Sequence, residues 1–252
     1  MDFYDQLADN YAELTDASGR RIPAERFVEQ LIRRFDISSA IDVACGAGLF
    51  AIELARRGVR VVGSDISSGM LASARSNAAE AEIDAGLCSW VQTPMQELSN
   101  SVSSPVDAVI CMGNSIPHLL TDDDLDGAIQ GFAGLLSDSG VLAIHLLNYE
   151  GVFADDRIVG ITRSGTREFV RFYDFHGDLI DFNILEIEWT DDGQCSHKLL
   201  TTPLRPYLHT MLIDAMARAG FGGIEAFGDL QFGPFDAETS DTLLLTATRS
   251  PR

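Results

Sequence analysis

The segment Asp42-Val43-Ala44-Cys45-Gly46-Ala47-Gly48 gathers residue types that ligand chemistry needs. An apolar run ends there, two glycines follow, and helical spacing starts at Leu49. Glycine lets a backbone turn tightly and approach a ligand, and the first turn of a helix offers N–H donors without partners. Asp65 closes the next apolar run, 17 residues after Gly48. A carboxylate at such a strand end can accept hydrogen bonds from both hydroxyls of a ribose. Gly46-x-Gly48-x-x-Ala51 nearly matches the dinucleotide fingerprint. Asp42, inside the strand ahead of the loop, adds a carboxylate that points to a second nucleoside-bearing ligand class.

Other groups also have side chains capable of chemistry. Asp122-x-Asp124-x-Asp126-Gly127 opens like a calcium loop, but its twelfth position is Ala133 and the bidentate carboxylate is missing. A capping box at Thr121-Asp-Asp-Asp124 explains the same run. His118 follows the fourth strand, at the end where open α/β sheets bind ligands, so a ligand contact and a packing role both stand. His145 lies within a strand and reads as structural. His176, His197 and His209 have no convergent partners, and Cys45, Cys88, Cys111 and Cys195 form no CxxC pair. Neither a metal site nor a disulfide framework is expected. Arg205, between Pro203 and Pro206, reads as a surface charge with an acidic partner or as a clamp for a substrate carboxylate.

These groups need a scaffold. Residues 1–36 read as helical and amphipathic, with a polar turn near Asp16-Ala17-Ser18-Gly19. Strands are expected over 40–45 and 60–65 and near 87–92, 106–112 and 140–147, with helices from Leu49 to Arg57 and Met70 to Ala79 and another opening at Thr121. Ser67 or Ser68 caps the second of these helices. Such alternation predicts a parallel sheet covered on both faces. After Tyr149 the pattern changes: 157–203 is strand-like, with turn signals at Gly165, His176-Gly177-Asp178 and Asp191-Asp-Gly193, and reads as an antiparallel insertion. A helix returns over Leu208–Ala219, and strands near 223–228 and 242–248 close the chain.

The charge balance narrows the partners. Thirty-eight acidic against 18 basic side chains give −20, which repels phosphate backbones and anionic membranes, so neither nucleic acid nor membrane is expected. Lys198 is the single lysine; a salt-adapted surface is one reading, and a GC-rich genome that encodes Arg in place of Lys is the preferred one. No apolar run approaches the roughly 20 residues that span a bilayer. The acidic start Met1-Asp2-Phe3-Tyr4-Asp5 is unlike a signal peptide, so a cytoplasmic enzyme with reduced thiols is expected.

The loop Asp42–Gly48, with Asp65-Ile66-Ser67-x-x-Met70, Gly220-Phe221 and the last strand at Leu243-Leu-Leu245, resembles class I S-adenosylmethionine (SAM)-dependent methyltransferases. Cys111-Met-Gly-Asn-Ser-Ile-Pro-His-Leu119, Leu147-Asn148-Tyr149 and Tyr11 narrow the likeness to glycine and sarcosine N-methyltransferase-like proteins. The resemblance covers most of the chain as a single methyltransferase domain. It implies a doubly wound, Rossmann-like α/β sheet of seven strands, the last antiparallel, with a core of about 37–150 and 206–252 under a lid formed by 1–36 and 151–205. It implies SAM as cofactor, contacted by Asp42, Ala44, Gly46, Gly48, Asp65, Ile66, Met70, Met95 and Met112, with Arg20, Arg21 or Arg26 meeting its carboxylate. Tyr11, Asn114, His118 and Tyr149 would line the acceptor pocket, none of them assigned as general base, and Arg205 would meet a substrate carboxylate. Two departures stand out: Pro94 replaces an Asp that often precedes the Met95 position, and Leu147 replaces the Arg that clamps glycine. The expected activity is methylation of a small molecule at nitrogen. O-methylation, or a SAM-binding sensor with little catalysis, are the alternatives, and a homo-oligomer is allowed.

Overall fold

The first two strands form where apolar runs meet turn residues, and their register places Asp42 beside Gly63 and Val43 beside Ser64. The structure, a computed structural model, describes residues 3–8, 10–15, 17–102, 105–152, 158–190 and 192–249. Its strands are β1 (Ser39–Val43), β2 (Arg60–Asp65), β3 (Cys88–Gln92), β4 (Val106–Cys111), β5 (Leu136–Leu147), β6 (Ile158–Ser164), β7 (Arg167–His176), β8 (Leu179–Trp189), β9 (Cys195–Leu204), β10 (Phe221–Phe227) and β11 (Thr242–Arg249). The helices are α1 (Tyr11–Leu14), α2 (Ala17–Phe35), α3 (Leu49–Ala55), α4 (Ser68–Glu80), α5 (Leu98–Ser101), α6 (Asp122–Leu135), α7 (Tyr149–Val152) and α8 (His209–Arg218).

Seven strands make one sheet in the order β10-β11-β5-β4-β1-β2-β3, and β11 alone runs antiparallel to its neighbours. The doubly wound sheet with an antiparallel last strand is therefore present. Its inner strands alternate which layer each side chain feeds. Ile41, Val43, Val109 and Cys111 pack with Phe132 of α6 and Met216 of α8, while Ala40, Ala108 and Ile110 pack with Phe27 and Leu31 of α2 and Leu54 of α3. Burial on both faces is why these strands read as continuous apolar runs. The strand order reverses between β1 and β4, the place where such sheets bind ligands.

The insertion forms a separate antiparallel sheet, β6-β7-β8-β9. Gly165, Gly177 and Gly193 all sit at positive φ at its turns. Asp191, read as part of the last turn, lies outside the described residues. So does Asp16, and the rest of the expected polar turn, Ala17 to Gly19, instead begins α2. Within 1–36 two roles separate. Residues of α2 pack in the core, whereas Leu7 and Leu14 meet Phe169, Ile184 and Leu200 of the insertion together with Met70. Strand β5 begins at Leu136, earlier than the apolar pattern suggests, because Leu136 already pairs with Val106. Caps fall as read: the Ser67 side chain accepts from Met70 N–H, and Thr121 from Asp124 N–H.

Candidate active site

At the carboxyl ends of β1, β2 and β4 the chain encloses a cavity of about 510 Å³, ample for a nucleoside-sized ligand. The β1–α3 loop forms its floor. Ala44, Gly46 and Gly48 all take positive φ, so the chain reverses within a few residues. A side chain on Gly46 would meet only the Tyr11 ring, at 3.9 Å, which places Tyr11 as a cover over the loop. Gly48 is different. A Cβ there would stand 2.8 Å from Trp90 and 3.1 Å from Ala74. The sequence assigned this glycine to ligand approach; the structure assigns it to close packing, and Gly48 is not part of the cavity wall.

Two acidic side chains stiffen the loop. Asp65 accepts from Gly46 N–H at 2.8 Å and from Ser67 N–H at 2.9 Å, joining the β1 and β2 loops. Asp42 is buried, accepts from Ala51 N–H at 3.0 Å and faces the cavity. Burial raises its pKa to about 8, the Ala51 N–H pulling the other way and the Asp65 charge adding to the rise.

The three candidate arginines separate. Arg26 reaches Gln231, away from the cavity, and Arg21 pairs with Glu25 at 2.9 Å and Glu53 at 3.7 Å. Arg20 lines the cavity with no acidic partner among the described residues. Its guanidinium lies 3.3 Å from the place a Cβ on Gly113 would take, so the missing side chain makes room for it. Ile66, Met70, Met95 and Met112 complete the apolar walls.

Phe3, Tyr4, Ser115, His118 and Thr202 also line the cavity. The Tyr4 hydroxyl is 2.8 Å from His118 Nε2. Asp5 fastens this N-terminal segment, accepting from Ser67 Oγ at 2.6 Å and Gly69 N–H at 3.1 Å.

Asn114 and Tyr149 lie behind the wall rather than in it. The Asn114 carboxamide accepts from Leu147 N–H and donates to the Tyr149 hydroxyl at 3.0 Å, and Tyr149 is fully buried. Burial holds the Tyr149 phenol far above its ordinary pKa, and the Tyr173 hydroxyl that bonds it adds to the rise. Arg205 is corrected too. It forms a 2.8 Å ion pair with Asp122, lies over the Tyr207 ring and stays outside the cavity.

Residues 40–140 match the family model described as a methyltransferase domain. The structure superposes with TM-score 0.82 on a SAM-dependent methyltransferase from Clostridium acetobutylicum ATCC 824, at 14% identity over 99% of this chain and 100% of that one. The chain is a SAM-dependent methyltransferase with the class I fold. This methyltransferase is 26% identical over 237 residues to a glycine/sarcosine N-methyltransferase of Halorhodospira halochloris, covering 94% of the chain and 85% of the relative. It is 28% identical over 235 residues to a glycine/sarcosine N-methyltransferase of Parasynechococcus marenigrum (strain WH8102), covering 92% and 79%.

The cavity fits SAM on its own chemistry. It offers a cation with no acidic partner among the described residues, a strand-end carboxylate and a buried carboxyl, for a ligand that carries a carboxylate, a ribose and positive charge. Among the described residues no cluster of His, Cys, Asp or Glu could hold a metal, and no helix is long and apolar enough to cross a membrane. Phe3, Tyr4 and Thr202 escaped the sequence reading. Tyr4 lies only seven positions before Tyr11 in a helical-looking segment, but nothing local ties it to His118.

Proposed function

We propose that this methyltransferase N-methylates a small amine that carries no free carboxylate. The carrying observation is the pairing of the cavity's cations: of Arg20, Arg21 and Arg56, the last two already meet Glu53, so once Arg20 meets the cofactor carboxylate none of the three is left for an acceptor carboxylate. Leu147 is not a clamp, and Arg205 is bound to Asp122. An unpaired carboxylate in such a place would cost several kcal/mol, on the order of 2–7 for even a neutral polar group. Support for nitrogen comes from the glycine/sarcosine N-methyltransferases to which the chain is similar.

When bound, SAM supplies an electrophilic methyl on a sulfonium. Arg20 meets the ligand carboxylate with a fork that matches it. Asp65 would accept from the ribose hydroxyls, and Ile66 and Met95 would flank the adenine. Gly48 supports the loop from behind. Tyr4 and His118 would receive the acceptor: the pair would hold the amine and take up the proton that the methylated amine sheds. The Asn114–Tyr149 bond holds the ends of β4 and β5 beneath this point. The cover formed by residues 3–15 and β6–β9 excludes water and aligns donor and acceptor, an effect worth about 7–11 kcal/mol where alignment is complete.

The test uses labelled SAM and a panel of amines paired with their carboxylated counterparts. The neutral-bodied member of each pair should be methylated at least about tenfold faster in kcat/KM, near 1.4 kcal/mol. A rate with glycine equal to the best acceptor would defeat the proposal.

A further inference from the structure

We propose that the outer face of the β6–β9 sheet is the interface with a second copy of this chain, in a twofold dimer. The inner face is occupied: Phe169, Ile184 and Leu200 are buried against Leu7, Leu14 and Met70. Side chains alternate along strands, so the register fixes the opposite face. Ile161 pairs with Val170, Val170 with Leu185, and Leu185 with Leu199, one apolar row crossing all four strands. Phe172 and Ile187 lie on the same face, two residues to either side. Ile161 is 56% exposed and Leu199 53%, high for large aliphatic side chains.

Charge argues for a like partner. The chain carries −20, so most faces of two copies repel. Here the middle is uncharged, and charged residues at the margins are paired, Arg163 with Glu168 and Asp181 with His176. A twofold axis laid along the row Ile161–Leu199 reverses the strands of the second copy. The apolar row then meets itself, and the Arg163–Glu168 margin faces the margin that bears Asp174 and the His176–Asp181 pair. An axis parallel to the strands would instead set the margin bearing Asp174 and Asp181 against its own copy. Avoiding that acid-on-acid contact selects the first arrangement.

The area suffices. Four strands about 4.8 Å apart and ten residues at about 3.3 Å give roughly 600 Å² per copy, or about 1,200 Å² in all, the lower bound for a stable specific interface. Because the inner face of the same sheet covers the cavity, pairing on the outer face would hold that cover rigid.

Sedimentation of the full chain tests this. The wild type should sediment as a dimer of the 27.4 kDa chain at about 10 µM. Leu199→Glu and Ile161→Glu, both at exposed positions, should each raise the dissociation constant at least about a hundredfold while keeping the wild-type melting temperature within a few degrees. Ile22→Glu, at a 58% exposed aliphatic position on α2, should stay dimeric. A monomeric wild type at about 100 µM, an assembly that survives both sheet variants, or one that Ile22→Glu breaks equally, would overturn the proposal.

Discussion

At the scale of single residues, the functional weight moves to groups whose partners are missing. Arg20 is the cavity's cation without an acidic partner among the described residues, so Arg20→Ala should weaken SAM binding by about 1.5–3 kcal/mol, the scale of a lost hydrogen bond to a charge. Arg26→Ala, at a position that faces Gln231, should leave affinity within about twofold. Calorimetric titration compares the two, and equal losses would return the carboxylate site to an open question. Two buried groups set opposite pH limbs. Burial, aided by the Arg20 charge, lowers the His145 pKa from 6.5 to about 4. Its stabilising neutral form is complete above about pH 6.5 and is lost as pH falls toward 4, a slope worth on the order of 2 kcal/mol. Asp42, raised from 3.8 to about 8, works the other way: its neutral form favours folding at low pH, and that contribution is lost as pH rises toward 8. A bound sulfonium and ammonium favour the ionised Asp42 carboxylate. SAM should therefore raise the melting temperature more near pH 8 than near pH 6, and Asp42→Asn should erase the difference. An equal SAM-induced shift at both pH values would count against this role for Asp42.

At the scale of elements, the cover is held by few bonds and should be separable from the core. Residues 3–15 are tied to the β6–β9 sheet through Arg167, which donates to Asn10 at 3.0 Å and meets Glu13 at 3.4 Å, and through Asn10, which donates to Glu186 at 2.6 Å. The main sheet does not depend on these contacts. Arg167→Ala should speed proteolytic cleavage near residues 3–15 and raise the KM for SAM several-fold, with a melting temperature lowered by no more than about 2–4 °C, the shift for roughly 1 kcal/mol in a chain of this size. Loss of the cooperative core transition in the variant would show that the cover is integral to the fold. The elements themselves were legible because their signals are local. Strand β2 spans Arg60–Asp65 as the apolar run predicts, Ser67 and Thr121 cap where their spacing says, and the insertion turns at Gly165, Gly177 and Gly193. The short helix α7 was missed, since four residues leave no period to read.

At the scale of the whole molecule, the excess of 38 acids over 18 bases dominates how the protein meets its surroundings. Salt screens both self-repulsion and surface ion pairs such as Arg218–Asp126 and Arg34–Glu225. Exposed pairs are worth about 0–1 kcal/mol each, whereas a net −20 acts over every charge at once. Repulsion wins this comparison, so the melting temperature should rise between about 0.05 and 0.5 M sodium chloride. A fall over that range in thermal melts would mean that the ion pairs outweigh the net charge.

The sequence by itself determined the doubly wound sheet, the glycine loop after β1, the acidic end of β2, the antiparallel insertion and the methyltransferase resemblance. The structural features rest on spacing within a few dozen residues, where hydrophobic period and turn chemistry act directly, and the resemblance rests on motifs spread over most of the chain. Only the tertiary structure decided which side chains remain available to a ligand. It set Arg21 against Glu53 and Arg26 against Gln231, gave Arg205 to Asp122, and drew Asn114 and Tyr149 into a bond with each other. It brought Tyr4 to His118 across 114 positions and pressed Trp90 against Gly48. A charge or hydroxyl is free for chemistry only when no neighbour has claimed it. Such neighbours arrive through packing between elements distant in the chain, which leaves no local period to read.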